Sequence, residues 1–211
     1  MPATHIHLVR HGEVHNPGGV IYGRLPHFHL SENGVKMAEA AALALVAMGV
    51  KPSKLVVSPL LRTKQSAEPI AKQFSLEPNQ DERIIEPQNF FEGRKVSLKT
   101  LLLNPKLLIH LRNPFRPSWG ESYLSVVERM MKAMHEAVES VSSGHVVFVT
   151  HQLPIWMVHR HLAGERLAHN PSNRRCSLSS ITSFEYLAGS FREVGYIEPE
   201  IDLPSIDKGA V

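Results

Sequence analysis

One cysteine, Cys176, stands in 211 residues, so no disulfide can form within the chain, and a reducing, cytoplasmic setting is expected. No apolar run approaches the roughly 20 residues that a transmembrane helix needs, so no membrane partner is expected. Charged and histidine residues break the first apolar stretch, which does not read as a signal peptide. Excess charge is also scarce. Lys plus Arg number 23 against 20 Asp plus Glu, a net +3 with histidine neutral. With no basic helix, zinc-type cysteine pattern or aromatic stacking motif, nucleic acid is not an expected partner. No repeat or low-complexity segment is visible.

What remains is ordinary for a globular chain, with 43% hydrophobic and 20% charged residues. The length suits one domain, read as residues 1–211, with a substantial core. Thirteen histidines stand out, including the pairs His5 and His7, His27 and His29, and His159 and His161. On a strand, a spacing of two puts both rings on one face. No third or fourth ligand accompanies any pair, so they read as structural or solvated and no metal is expected.

His5 to Val9 reads as a short strand, and 15–29, with Pro17, Gly18, Gly19, Gly23 and Pro26, as a loop. Ser31 caps a helix to about Met48 that Gly49 stops. Lys54 to Val57 is a second strand. Ser58-Pro59 reads as a helix start, serine at the cap and proline at the first turn, with the helix running to about Phe74. Arg83 to Glu86 reads as a third strand. The stretch at about 87–121, with its Leu98 to Leu111 run, reads as an inserted lid. Ser122 opens a long amphipathic helix ended by Gly144, with Leu124, Val127, Met131, Met134, Val138 and Val141 at helical steps. His145 to Thr150 is the clearest strand, a continuous apolar run. A helix from about Pro154 to Leu162 follows, and its Ile155, Trp156 and Val158 suit either the core or a homodimer contact. Ser180 to Tyr186 and Phe191 to Ile197 form a hairpin turning at Ala188-Gly189. Strands alternating with helices predict a three-layer α/β/α sandwich around a mostly parallel mixed sheet.

Three blocks place a cation or an imidazole just past a strand: Arg10-His11, Arg62, and His151. Ligands of open α/β sheets bind outside the carboxyl ends of strands, where helix N-termini also favour phosphate. The blocks are expected to meet there.

Leu8-Val9-Arg10-His11-Gly12, Ser58-Pro59-Leu60-Leu61-Arg62-Thr63, Gly120-Glu121-Ser122 and Thr150-His151 occur in that order. Together they resemble the motifs of the histidine phosphatase superfamily, which includes the cofactor-dependent phosphoglycerate mutases. The segment around Glu86, before Phe90-Phe91-Glu92-Gly93, is similar to the one that holds the family's proton donor. The resemblance implies that His11 is a nucleophile forming a phosphohistidine, and that Arg10, Arg62 and His151 bind the phosphoryl oxygens. It implies that Glu86 protonates the leaving alcohol. Asn16, six residues after Arg10 where the family more often has asparagine at seven, is a phosphate-binding candidate. Gln152, standing where glycine is common, and Arg24 are substrate-binding candidates. The scheme needs no cofactor, because arginines supply the positive charge.

The phosphoglycerate mutases carry Glu-Arg-His-Tyr-Gly at the donor, whereas this chain has Glu86-Pro87-Gln88-Asn89-Phe90. The less basic segment favours a phosphohydrolase acting on a small phosphorylated substrate. A mutase moving phosphate between positions of one substrate, and a catalytically weak phosphate-binding module, are the alternatives.

Overall fold

The computed structural model describes residues 2–95 and 120–200. Most of the expected lid, including the Leu98 to Leu111 run, lies outside the described residues. The elements are β1 (His5–Arg10), α1 (Glu32–Ala47), β2 (Pro52–Val57), α2 (Leu61–Phe74), β3 (Pro78–Gln80), a 3-10 turn (Glu82–Ile84), α3 (Tyr123–Glu139), β4 (His145–Thr150), α4 (Gln152–Leu162), β5 (Ile181–Leu187) and β6 (Ser190–Ile197).

The strands form one sheet in the order β3-β2-β4-β1-β5-β6. The first four are mutually parallel, and β5 and β6 run antiparallel. The hairpin between them turns on Ala188 and Gly189, both at positive φ (52° and 82°), as a two-residue turn matched to strand twist requires.

Alternation along each strand builds two cores. Ile6, Leu8, Val146 and Phe148 face α3 and α4. Val9, Leu55, Val57, Val147 and Val149 face α1 and α2. The sheet is therefore the middle of three layers, as the alternating pattern predicts. Ile155, Trp156 and Val158 are buried in the first core. The chain leaves β1 towards one face and leaves its neighbour β4 towards the other. That divergence opens a crevice at the carboxyl ends of β1 and β4.

Four local expectations need correction. Ser58 does not cap α2, which starts at Leu61 with Leu60 as its N-cap and no side-chain cap bond. The Ser58 hydroxyl is engaged instead with His151, 2.7 Å away. Arg83 to Glu86 is not a strand, because the Asp81 carboxylate accepts from Arg83 N and winds the chain into a 3-10 turn. The third strand is Pro78–Gln80, a fully exposed edge with no apolar pattern to reveal it. Finally, α3 stops at Glu139, and its buried stripe runs through Tyr123, Val126, Val127, Met130, Ala133, Met134, Ala137 and Val138. Leu124 is exposed. The cap at Ser122, whose side chain accepts from Ser125 N, lies where the sequence puts it.

Candidate active site

Two parallel strands end side by side, with Arg10 opposite Thr150, and the next residue of each is a buried histidine, His11 and His151. Their ring centroids are 5.3 Å apart. Backbone bonds fix this exit: His11 N donates to Thr150 O, and Ser179 N donates to His11 O. The tight turn after His11 needs glycine. A Cβ on Gly12 would sit 2.3 Å from Gly34 O, so its absence lets the start of α1 close on the strand end.

His11 donates from Nδ1 to its neighbour's carbonyl, Gly12 O, at 2.8 Å. A carbonyl can only accept, so the proton is on Nδ1 and Nε2 keeps its lone pair. Burial, then Arg62 and Arg10, hold the ring's pKa well below its usual value. The result is a neutral, oriented imidazole with a free nucleophilic nitrogen.

Arg10 and Arg62 are completely buried. Arg10 Nη1 donates to Cys176 O at 2.7 Å. Arg62 Nη2 donates to Gly23 O at 2.6 Å, and its guanidinium lies 4.8 Å over the Tyr22 ring. Among the described residues, Arg62 Nε and Nη1 have no hydrogen-bond partner although both are buried. These buried N–H groups are donors left over for the oxygens of a bound anion.

His151 is held by Ser58 Oγ at Nε2 (2.7 Å) and faces Arg62 Nη2 at Nδ1 (3.4 Å). Burial, then Arg62 and His11, depress its pKa well below the usual imidazole range. Its Nδ1 is 3.8 Å from Glu86 Oε2. Burial pushes the Glu86 carboxyl up from its ordinary value, against the pull of Arg62, Arg174, Arg10 and Arg129. A carboxyl so placed carries a proton over a wider pH range than an exposed one.

Arg10, His11, Tyr22, Gly23, Arg62, Glu86 and Gln152 line one small cavity. Gln152 Oε1 accepts from Arg174 Nη1 at 3.2 Å. Two candidates lie elsewhere. Asn16 closes its amide on Val20, donating to Val20 O at 2.9 Å and accepting from Val20 N at 3.3 Å. Arg24 donates to Glu86 O and pairs with Glu121. Sequence reasoning missed Ser58, Tyr22, Gly23 and Arg174. Ser58 opens a quoted motif and Gly23 precedes the candidate Arg24, both usable signals, whereas Tyr22 and Arg174 come into play only through the tertiary fold. Among the described residues, no group of three His, Cys, Asp or Glu side chains is arranged to hold a metal, and no helix is long and apolar enough to cross a membrane.

Comparison with known proteins gives a consistent result. The histidine phosphatase superfamily (branch 1) matches over residues 6–198. The uncharacterized protein Rv0525 of Mycobacterium tuberculosis is 44% identical over 197 residues, covering 93% of this chain and 96% of its own. Among solved structures, YhfR of Bacillus stearothermophilus superposes with a TM-score of 0.77 at 22% identity, covering 94% of this chain and 98% of its own. The mycobacterial glucosyl-3-phosphoglycerate phosphatase Rv2419c gives a TM-score of 0.71 at 23% identity, covering 92% and 96%. At those identities the two structures establish a shared fold.

Proposed function

Since this chain belongs to the histidine phosphatase superfamily (branch 1), we propose that it is a phosphohydrolase that cleaves a small phosphomonoester through a phosphohistidine on His11. The observation that carries this reading is one small cavity bringing together a neutral imidazole with a free Nε2, two buried arginines and a buried carboxyl. The names of structural neighbours, such as the mycobacterial glucosyl-3-phosphoglycerate phosphatase, point towards the same reaction class.

In the first step the His11 Nε2 lone pair attacks phosphorus and the bond to the leaving alcohol breaks. Glu86 gives its proton to the departing oxygen. Arg10 and Arg62 hold the phosphoryl oxygens as charge spreads over them. His151 is neutral in the free site. A phosphate dianion offsets the nearby arginines, so it favours the protonated ring and makes His151 a further donor. In the second step the Glu86 carboxylate takes a proton from water, the water oxygen attacks phosphorus and the P–N bond breaks. Inorganic phosphate leaves and Glu86 is again protonated.

The test is phosphate release from a panel of phosphomonoesters, with and without chelator, against His11→Ala. Release that depends on His11 and survives the chelator is expected. Interconversion of phosphate isomers with no net release would contradict the hydrolase reading.

A further inference from the structure

The segment that carries Glu86 is the one the sequence marks as a strand and the fold leaves outside the sheet. Its carbonyls need other partners, and three side chains from three places supply them. Arg129 of α3 donates through Nη1 to Arg83 O. Thr150, the last residue of β4, donates to Ile84 O at 2.5 Å. Arg24, from the loop after β1, donates through Nε to Glu86 O at 2.5 Å.

The two arginines share one carboxylate. Glu121 accepts from Arg24 Nη2 at 3.2 Å, and from Arg129 Nε and Nη2 at 2.9 and 3.1 Å. Ser125 Oγ adds a bond to Glu121 Oε1 at 3.0 Å. The loop bearing Arg24 is anchored in turn. Glu92 Oε1 accepts from Arg24 N at 2.9 Å and from Asn89 N at 3.1 Å. A Cβ on Gly23 would lie 2.2 Å from that oxygen, and Gly23 has φ +37°, so only glycine fits. Gly23 O is also the acceptor that holds Arg62. Gly23 and Arg24 thus join the arginine proposed to grip phosphate, through Gly23 O, to the main chain of the residue proposed to donate the proton, through Arg24 Nε.

We infer that Glu121, with Arg24 and Arg129, forms a clamp that positions Glu86, so that Arg24 and Glu121 are positioning residues for the proton transfer. This assigns Arg24 a different task from the substrate contact its place in the loop suggests. Its guanidinium spans the Glu86 carbonyl and the Glu121 carboxylate, a two-point geometry that suits a planar fork and not an ammonium.

The inference rests on Glu86 being the acid, and one experiment separates the two claims. Single-turnover kinetics, which read leaving-group release in the first step before Glu86 acts as base, are measured for wild type, Glu86→Gln, Glu121→Gln, Arg24→Ala and Arg24→Lys with two probes. One is p-nitrophenyl phosphate, whose leaving group departs without a proton. The other is glycerol 2-phosphate, whose alkoxide needs one. Loss of a positioned acid slows that step on glycerol 2-phosphate by about 100-fold and spares it on p-nitrophenyl phosphate. Glu86→Gln and Glu121→Gln are expected to show this selectivity, with the half-saturating substrate concentration of the first step nearly unchanged. Arg24→Ala, at a part-exposed side chain, is expected to show it to a lesser degree, with little rescue by lysine. Equal first-step losses on both probes in Glu121→Gln and Arg24→Ala, or weaker saturation with the first-step rate intact, would overturn the clamp. If Glu86→Gln itself showed no selectivity, the acid assignment would fall, and the clamp with it.

Discussion

The two ends of β1 and β4 each bury histidines, and they differ in what surrounds them. At the amino ends, His5, His7 and His145 form a cluster: His7 Nε2 meets His145 Nδ1 at 2.9 Å, and His7 Nδ1 meets Ser183 Oγ at 2.8 Å. At the carboxyl ends, roughly 16 Å away by strand rise, lie His11 and His151. Both regions depress imidazole pKa values. Burial, then His145 and His5, hold His7 at about 3, whereas burial and then arginines act on His11 and His151. A perturbed histidine alone therefore does not mark a site. The carboxyl ends are distinguished by cations: guanidinium N–H groups aimed into a cavity, beside a carboxyl inclined to keep its proton. At the amino ends both ring nitrogens of His7 are already engaged, with Ser183 and His145.

The sharpest way to break this comparison is to remove one histidine from each end. His11→Ala is expected to reduce phosphate release by at least about 1,000-fold, as loss of a nucleophile does. His7→Asn is expected to stay within a few-fold of wild type. Comparable losses from the two would erase the distinction. Next in size, Arg62→Lys keeps the charge and loses the fork. A fall in kcat/KM of about 100-fold, the usual scale for one lost transition-state donor, is expected from initial rates. A near-normal lysine enzyme would mean that charge alone suffices.

The pH profile sharpens the same point. His11 titrates well below the ordinary imidazole range, so mild acid leaves the proposed nucleophile neutral. As the proposed proton donor Glu86 must be protonated to act, and burial raises its pKa. Activity on an alkyl phosphate should therefore be greatest on the acid side of neutrality, falling about tenfold per pH unit once Glu86 ionises. Loss of activity on moving from neutral into mild acid would contradict these assignments.

The smallest effect belongs to the other end of the sheet. Folded His7 stays neutral while the unfolded chain takes up a proton below about 6.5, so acid favours unfolding until the pH nears the folded value of about 3. One such group contributes a slope of up to about 1.4 kcal/mol per pH unit. Denaturant melts of His7→Asn across this window should show a shallower dependence than wild type. An unchanged slope would mean that His7 is protonated in the folded state.

Legibility in the sequence followed locality. Arg10, His11 and His151 were readable because continuous apolar strands end beside them, and that pattern also set the parallel centre of the sheet. Glu86 was readable as a residue but not as a conformation, since Asp81 curls the chain just before it. Ser58 shows the same limit: serine before proline has the composition of a helix cap, and only the folded position of His151 diverts its hydroxyl. The edge strand β3 has three exposed residues, leaving no pattern to read. The Glu121 clamp joins residues almost a hundred positions apart, which spacing along the chain cannot reveal.

The proposed reaction turns on a covalent bond at one nitrogen, and trapping that bond tests it most directly. Rapid acid-free quench of the protein with a radiolabelled phosphomonoester, followed by peptide mapping, is expected to place acid-labile label on His11 in wild type and none in His11→Ala. Turnover by wild type with no label on His11, or label retained in the variant, would contradict it.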